Sequence, residues 1–183
     1  MNYLFSLRSV TEGDMQLLYA WRNRPEVREY MYSSTEIKLS GHSKWFSAML
    51  QDPSRHSLIM TSKGVDCAVI LFSDIRGVTS CTWGFYAGPN APAGVSLLVE
   101  LAGLGYAFET LCVNRLHCEV LSGNQQVANL HKKSGFIQEG CLRQSRQTQR
   151  GLEDVIVFGM LKDEWPAARD RLQARAQRIF GIE

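Results

Sequence analysis

The segment Glu119–Gly140, EVLSGNQQVANLHKKSGFIQEG, leaves a folding chain few choices. It reads as strand, capped short helix, glycine stop and strand. Asn124 can accept a backbone N–H at a helix start, Val127 and Leu130 fall one turn apart, and Gly135 can take the left-handed conformation that ends a helix. A strand from Arg115 to Val120 leads into this helix, and the chain returns to a strand after it.

The rest of the chain repeats that alternation. Leu4 to Arg8 is expected as a first strand; Thr11 and Asp14 then open a helix with Leu17, Leu18 and Trp21 on one face, which Pro25 interrupts. Lys38 to Leu50 sets His42, Trp45, Phe46 and Met49 at helical spacing and ends at Asp52-Pro53. Strand-like runs His56–Met60, Val65–Phe72 and Ser80–Tyr86 are joined by turns at Lys63-Gly64 and Arg76-Gly77, which predicts an antiparallel meander. A long helix from Ala93 or Gly94 buries Leu97, Leu98, Leu101, Leu104 and Phe108. Two strands flank a turn at Arg150-Gly151, and a last helix turns Trp165, Ala168 and Leu172 inward. The fold class predicted is α/β (α+β): one domain over residues 1–183 with a mixed, mostly antiparallel sheet of about seven strands flanked by helices.

Composition narrows the function. Hydrophobic residues make up 45% of the 183, charged residues 21%, and the formal net charge is +2, which fits neither a disordered chain nor a polyanion-binding surface. The arginines Arg169, Arg171, Arg175 and Arg178 are interleaved with Asp170 on a helix face, so no nucleic acid partner is expected. Five scattered cysteines include no Cys-x-x-Cys pair and read as reduced core thiols. No apolar run reaches membrane-spanning length and Met1 to Leu7 lacks the pattern of a signal peptide, so no membrane partner and a cytoplasmic location are expected. His131 has no i,i+4 ligand partner and there is no Gly-x-Ser-x-Gly elbow, so neither a metal nor a serine hydrolase site is expected.

The Asn124-to-Gly140 string, with His131-Lys132-Lys133 before Ser134-Gly135-Phe136, resembles the acetyl-coenzyme A-binding signature of the GNAT N-acetyltransferases. The element order matches theirs over nearly the whole chain. Trp21-Arg22-Asn23-Arg24-Pro25, Tyr30-Met31, His42 with Trp45-Phe46, and Ser80-Cys81-Thr82-Trp83-Gly84-Phe85-Tyr86 further resemble the N-acetyltransferases of pseudaminic acid biosynthesis, which acetylate the 4-amino group of a UDP-linked amino-dideoxy sugar. The N-terminal part is also similar to the ribosomal-protein N-terminal acetylases. A protein acceptor, or a non-catalytic acyl-coenzyme A-binding module, is therefore carried as an alternative. A homodimer is left open.

The resemblance implies a coenzyme bound between two splayed parallel strands, paired to the backbone of Phe85 and Ala87, with its pyrophosphate at the amides of Ala93, Gly94, Val95 and Ser96 where a helix begins. The loop before that helix, Asn90-Ala91-Pro92, lacks the basic residue usual in the family. Asn124 would reach the pantetheine arm as well as cap its helix, and Lys133 would meet phosphate, although both lysines also suit a solvated helix end. His131 stands where relatives carry a tyrosine that protonates the departing thiolate; it reads otherwise as an ordinary structural histidine. Ser80 would hold a water that relays the amine proton, or simply begin its strand. Arg22, Asn23, Tyr30, Met31, His42 and Trp45 would form the acceptor pocket, although the spacing of Trp45 also fits a core position.

Overall fold

The computed structural model describes residues 5–181 and holds a seven-stranded sheet with helices on both faces. The strands are β1 (Ser6–Ser9), β2 (His56–Ser62), β3 (Val65–Ser73), β4 (Ser80–Ala87), β5 (Arg115–Leu121), β6 (Ile137–Thr148) and β7 (Gly151–Leu161), in the spatial order β1-β2-β3-β4-β5-β7-β6. The predicted class holds. Leu4, which the sequence assigned to the first strand, lies outside the described residues.

The helices are α1 (Met15–Arg22), α2 (Pro25–Arg28), α3 (Leu39–Gln51), α4 (Val95–Gly105), α5 (Gln125–Ser134) and α6 (Trp165–Phe180). Pro25 does interrupt the first helical stretch, but as the first residue of the four-residue α2, where its missing N–H costs nothing. The long helix is shorter than its apolar pattern: after Gly105 the chain widens into a single π-type turn, Tyr106–Thr110, that buries Ala107 and Phe108.

Burial divides into two cores. On one face Leu18 and Trp21 of α1 and Phe46 and Met49 of α3 pack on Ile59, Val69 and Tyr86. On the other, α4 and α6 lay Leu98, Leu104, Trp165 and Leu172 against Ile70, Trp83, Leu116 and Phe158. Strand side chains alternate faces, so neighbours Val69 and Ile70 serve different cores.

Only β4 and β5 run parallel among the paired strands, and they pair over three residues: Ser80 with Arg115, Cys81 with Leu116, Thr82 with His117. A hydrogen bond of 2.9 Å between Thr82 Oγ1 and His117 Nε2 closes this root. Beyond it the strands part. β4 continues to Ala87 held only by β3, while β5 continues to Leu121 held only by β7. The sheet thus opens in its middle, with backbone polar groups on both lips.

Candidate active site

The phase of the β3–β4 ladder decides what the β4 lip offers. In an antiparallel pair, directly opposed residues alternate between bonded and unbonded. Gly88 N–H donates to the Cys67 carbonyl at 2.8 Å, in register with the pairing of Tyr86 with Val69 and Gly84 with Leu71. Tyr86 and Gly84 therefore spend their backbone groups on β3, and Trp83, Phe85 and Ala87 turn theirs toward the opening. The Ala87 carbonyl is already taken, accepting from Arg24 Nη1 at 3.1 Å, which leaves its N–H and both groups of Phe85.

A cavity of about 650 Å³ occupies this opening. Its walls are Trp83 to Gly88 on β4 and the turn after it, Cys118 to Leu121 on β5, and Asn124, Gln126, Val127 and His131 on or at α5, with Ser96 at the start of α4. Arg22, Arg24, Val27, Tyr30, Met31, Tyr32, His42 and Trp45 roof its other end.

Asn124 caps α5 by accepting the Val127 N–H at 3.3 Å, and α5 ends at Gly135 with φ 107°. Ala93, Gly94 and Val95 do not line the cavity; only Ser96 of that expected cradle does. Gly94 has φ +81°, and a Cβ there would lie 2.9 Å from Phe180 Cζ, so backbone conformation and packing against α6 already account for the glycine. Lys133 is exposed and outside the cavity lining, with Lys132 beside it on the solvent side of α5.

His131 is 3% exposed and lies at the base of the opening. Rings surround it: Phe136 at 5.0 Å between centroids, Trp83 and Phe158 at 5.7 Å, and Phe85 edge-on at 6.1 Å. Its Nδ1 is 2.7 Å from Glu100 Oε1 on α4, and the Glu100 side chain is out of contact with water. The contact is close but poorly directed, and neither carboxylate oxygen makes a well-formed hydrogen bond. Burial disfavours an imidazolium, but the Glu100 charge, helped by the Cys118 thiol, outweighs it and raises the pKa to about 10.

The acceptor end holds two orphaned polar atoms. Arg22 gives Nη2 to the Ser33 carbonyl at 3.3 Å, while its Nη1 is buried without a partner, and burial lowers its pKa. His42 Nε2 is likewise buried and unpartnered among the rings of Tyr19, Trp45 and Phe46, and burial lowers its pKa too. Trp45 is 37% exposed and faces the cavity, so the core position that its helical spacing allowed is filled by Phe46 and Met49. Asn23 is not part of the lining. Its amide accepts the Ile37 N–H at 2.8 Å and donates to the Ile37 carbonyl at 3.0 Å, pinning the loop that carries Tyr30, Met31 and Tyr32.

Two carboxylates escaped the sequence reading. Glu119 lines the cavity on the β5 lip and accepts from Tyr32 Oη, whose ring in turn lies 4.3 Å under the Arg146 guanidinium. Burial and Glu119 together raise the Tyr32 pKa, so the phenol remains the donor. Glu100 is the other. Ser80 sits at the paired root opposite Arg115, its carbonyl accepting the Arg76 N–H at 2.9 Å, and it does not border the cavity.

Residues 5–137 match the model of the acetyltransferase (GNAT) domain. The chain belongs to the GNAT acetyltransferase family. It is an acetyl-coenzyme A-dependent N-acetyltransferase. Acetyltransferase PseH of Campylobacter jejuni is 29% identical over 136 residues, covering 73% of this chain and 85% of that protein; PseH from a second strain is 27% identical over 134 residues, covering 73% and 83%. A solved GNAT structure, the spermidine N-acetyltransferase of Vibrio cholerae in complex with CoA and spermine, superposes with a TM-score of 0.83 at 16% identity, over 90% of this chain and 99% of that one. At that identity the likeness is one of fold.

Proposed function

We propose that this GNAT enzyme transfers acetyl from acetyl-coenzyme A directly to the 4-amino group of a UDP-linked amino-dideoxy sugar. The observation that carries the acceptor class is the pair of orphaned polar atoms, Arg22 Nη1 and His42 Nε2, in the roof of the cavity. A buried polar atom without a partner is costly; a diphosphate supplies an oxygen to Arg22 Nη1, and a hydroxyl of the same substrate can meet His42 Nε2 as donor or acceptor. Val27, Met31, Trp45 and Leu71 border the same space and suit a deoxysugar methyl or a uracil ring. A polyamine acceptor fits less well, since the cavity carboxylates Glu26 and Glu119 are already engaged by Arg24 and Tyr32. The likeness to the two PseH acetyltransferases supports the same reading.

The coenzyme half follows from the opened sheet. The free backbone groups of Phe85 and the Ala87 N–H form a strand edge to which the amides of a pantetheine arm can pair, with Asn124 and Ser96 on the flanking helices. The β4 amides turned inward also face the place where a thioester carbonyl would gain negative charge. Glu119 takes the proton from the attacking amine across the gap, and His131, charged, returns one to the departing sulfur. No covalent enzyme intermediate is needed.

The test is a mass-spectrometric screen of UDP-amino sugars with acetyl-coenzyme A. The expected result is one acetyl gain on a 4-amino sugar, inhibited by free UDP. Arg22→Ala and His42→Ala should raise the Michaelis constant for that sugar far more than that for the coenzyme. Acetylation of spermidine or of a peptide N-terminus, with every UDP-sugar left unmodified, would overturn the acceptor.

A further inference from the structure

Glu100 occupies a position where a carboxylate needs a reason. It projects from the middle of α4 between Leu97 and Leu104, and its side chain is fully shielded from water. Removing an unpaired carboxylate from water costs several kcal/mol by order of magnitude, so such a group stays charged only beside a counter-charge. Among the described residues the basic group it meets is the His131 ring, at 2.7 Å from Nδ1.

What surrounds the imidazole on its other sides is known from every element packed against it. β4 contributes Trp83 and Phe85, the start of β6 follows Phe136, and β7 contributes Phe158. β5 contributes the Cys118 thiol, which with Glu100 is the titratable group facing the ring among the described residues. On α5 itself the neighbours Lys132 and Lys133 point to solvent. With Nδ1 against Glu100 on α4, Nε2 is the ring's other nitrogen, and His131 borders the cavity.

We propose that Glu100 is a positioning residue for acetyl transfer: from beneath the site it orients the His131 ring through Nδ1 and keeps that ring protonated, so that Nε2–H is the proton delivered to the coenzyme sulfur. This rests on the acetyltransferase reading above and adds to it a carboxylate that never touches either substrate. The proton balance closes within the turnover: His131 loses one proton to the thiolate as the carbon–sulfur bond breaks, the amine loses one to Glu119 as the amide forms, and solvent exchange resets both. The arrangement differs from a phenol donor in one respect, since an imidazole is an acid at neutral pH only if something holds its charge.

The experiment follows the His131 ring by nitrogen NMR in histidine-labelled full-length protein, its signals among those of the four histidines assigned by their loss in His131→Gln. The same samples are assayed for turnover from pH 6 to 10. In the parent protein the ring is expected to stay protonated past pH 8. In Glu100→Gln the midpoint should fall well below that of the parent, because only the Cys118 thiol then opposes burial. Turnover of that variant at pH 8 should drop by roughly 100-fold with the Michaelis constant for acetyl-coenzyme A little changed. Glu100→Asp should recover much of both, and Glu100→Met supplies a second neutral side chain should the glutamine variant not fold.

An unmoved His131 midpoint in the neutral variants overturns the proposal whatever the activity. A midpoint that falls while turnover at pH 8 is unchanged overturns the acid role. If the parent protein transfers acetyl to no amine at all, the functional reading fails by itself, and the NMR titration still decides whether Glu100 holds the charge on His131.

Discussion

The indole of Trp83 fills the space that a side chain at Gly103 would need: a Cβ there would lie 2.5 Å from Cζ3 of the ring. Trp83 is the first β4 residue beyond the last pair with β5, so the indole acts as a wedge where the sheet begins to open. It stacks on Phe136 at 5.9 Å with the planes 6° apart, and α4 can come close enough to cover it only because position 103 has no side chain. Gly103→Ala is therefore expected to destabilise the protein by about 1–3 kcal/mol, the usual cost of overpacking, despite the higher helix propensity of alanine. Urea unfolding should show a lower midpoint with the slope unchanged. A stabilised Gly103→Ala variant would mean that α4 moves off the indole without penalty.

Gly94 gives a second steric prediction. Its φ of +81° puts an L side chain in the left-handed region, and a Cβ would meet Phe180 on α6. Gly94→Val should lose roughly 1–3 kcal/mol from backbone strain. Adding Phe180→Ala should relieve only the contact with the ring and leave the strain. Thermal unfolding of the single and double variants separates the two contributions. Full stability in Gly94→Val would return the glycine to a purely ligand-binding role.

At the edge of the sheet, Arg8 Nη1 and Nη2 donate to the two oxygens of Asp14 at 2.9 and 2.8 Å, and Nη2 also reaches Asp66 at 2.6 Å. Asp14 accepts from the Thr11 backbone as well, closing a capping box ahead of α1. The Arg8 bond lowers the Asp14 pKa from 3.8 to about 2, with the Thr11 bonds assisting against burial. A depressed carboxyl stabilises the fold above its unfolded pKa, and the contribution disappears as pH falls through the folded value. Since Arg8 is 41% exposed, solvent screening keeps the Asp14→Asn penalty to about 1 kcal/mol at pH 7. That penalty should shrink between pH 4 and pH 2 in urea titrations. A penalty independent of pH over that window would remove the ion pair as its cause.

Much of the fold was legible because local and tertiary signals agree. Thr11 and Asp14 mark the box before α1, Gly135 ends α5, and the turns at Lys63-Gly64 and Arg150-Gly151 join the predicted strands. The π-type turn at Tyr106–Thr110 was not legible, since its apolar residues fit a continuing helix equally well. In the site, backbone direction at Phe85 and Ala87 depends on ladder phase, which pairing partners set and side chains do not reveal. Glu119 reads as a solvated strand position until Tyr32 is seen to fold over it. Glu100 did leave a signal: it interrupts the apolar stripe through Leu97, Leu101 and Leu104, where a carboxylate has no business without a partner.

The two proton-acceptor assignments can be set against each other. Glu119 borders the cavity on the lip facing β4, whereas Ser80 lies at the closed root, an unactivated hydroxyl on the wrong side of the last strand pair. If Glu119 takes the amine proton, Glu119→Gln should lower turnover by roughly 100- to 10,000-fold with coenzyme affinity retained, and Ser80→Ala should stay near the parent. Tyr32→Phe separates base strength from loop closure. It removes the phenol that donates to the carboxylate, and it also loosens the cover held by Arg146. Turnover at saturating acceptor is therefore expected to hold while the Michaelis constant for the acceptor rises. Steady-state kinetics of the three variants decides the matter: a large loss in Ser80→Ala beside a near-normal Glu119→Gln would move the proton path to the root of the sheet and remove Glu119 from the chemistry.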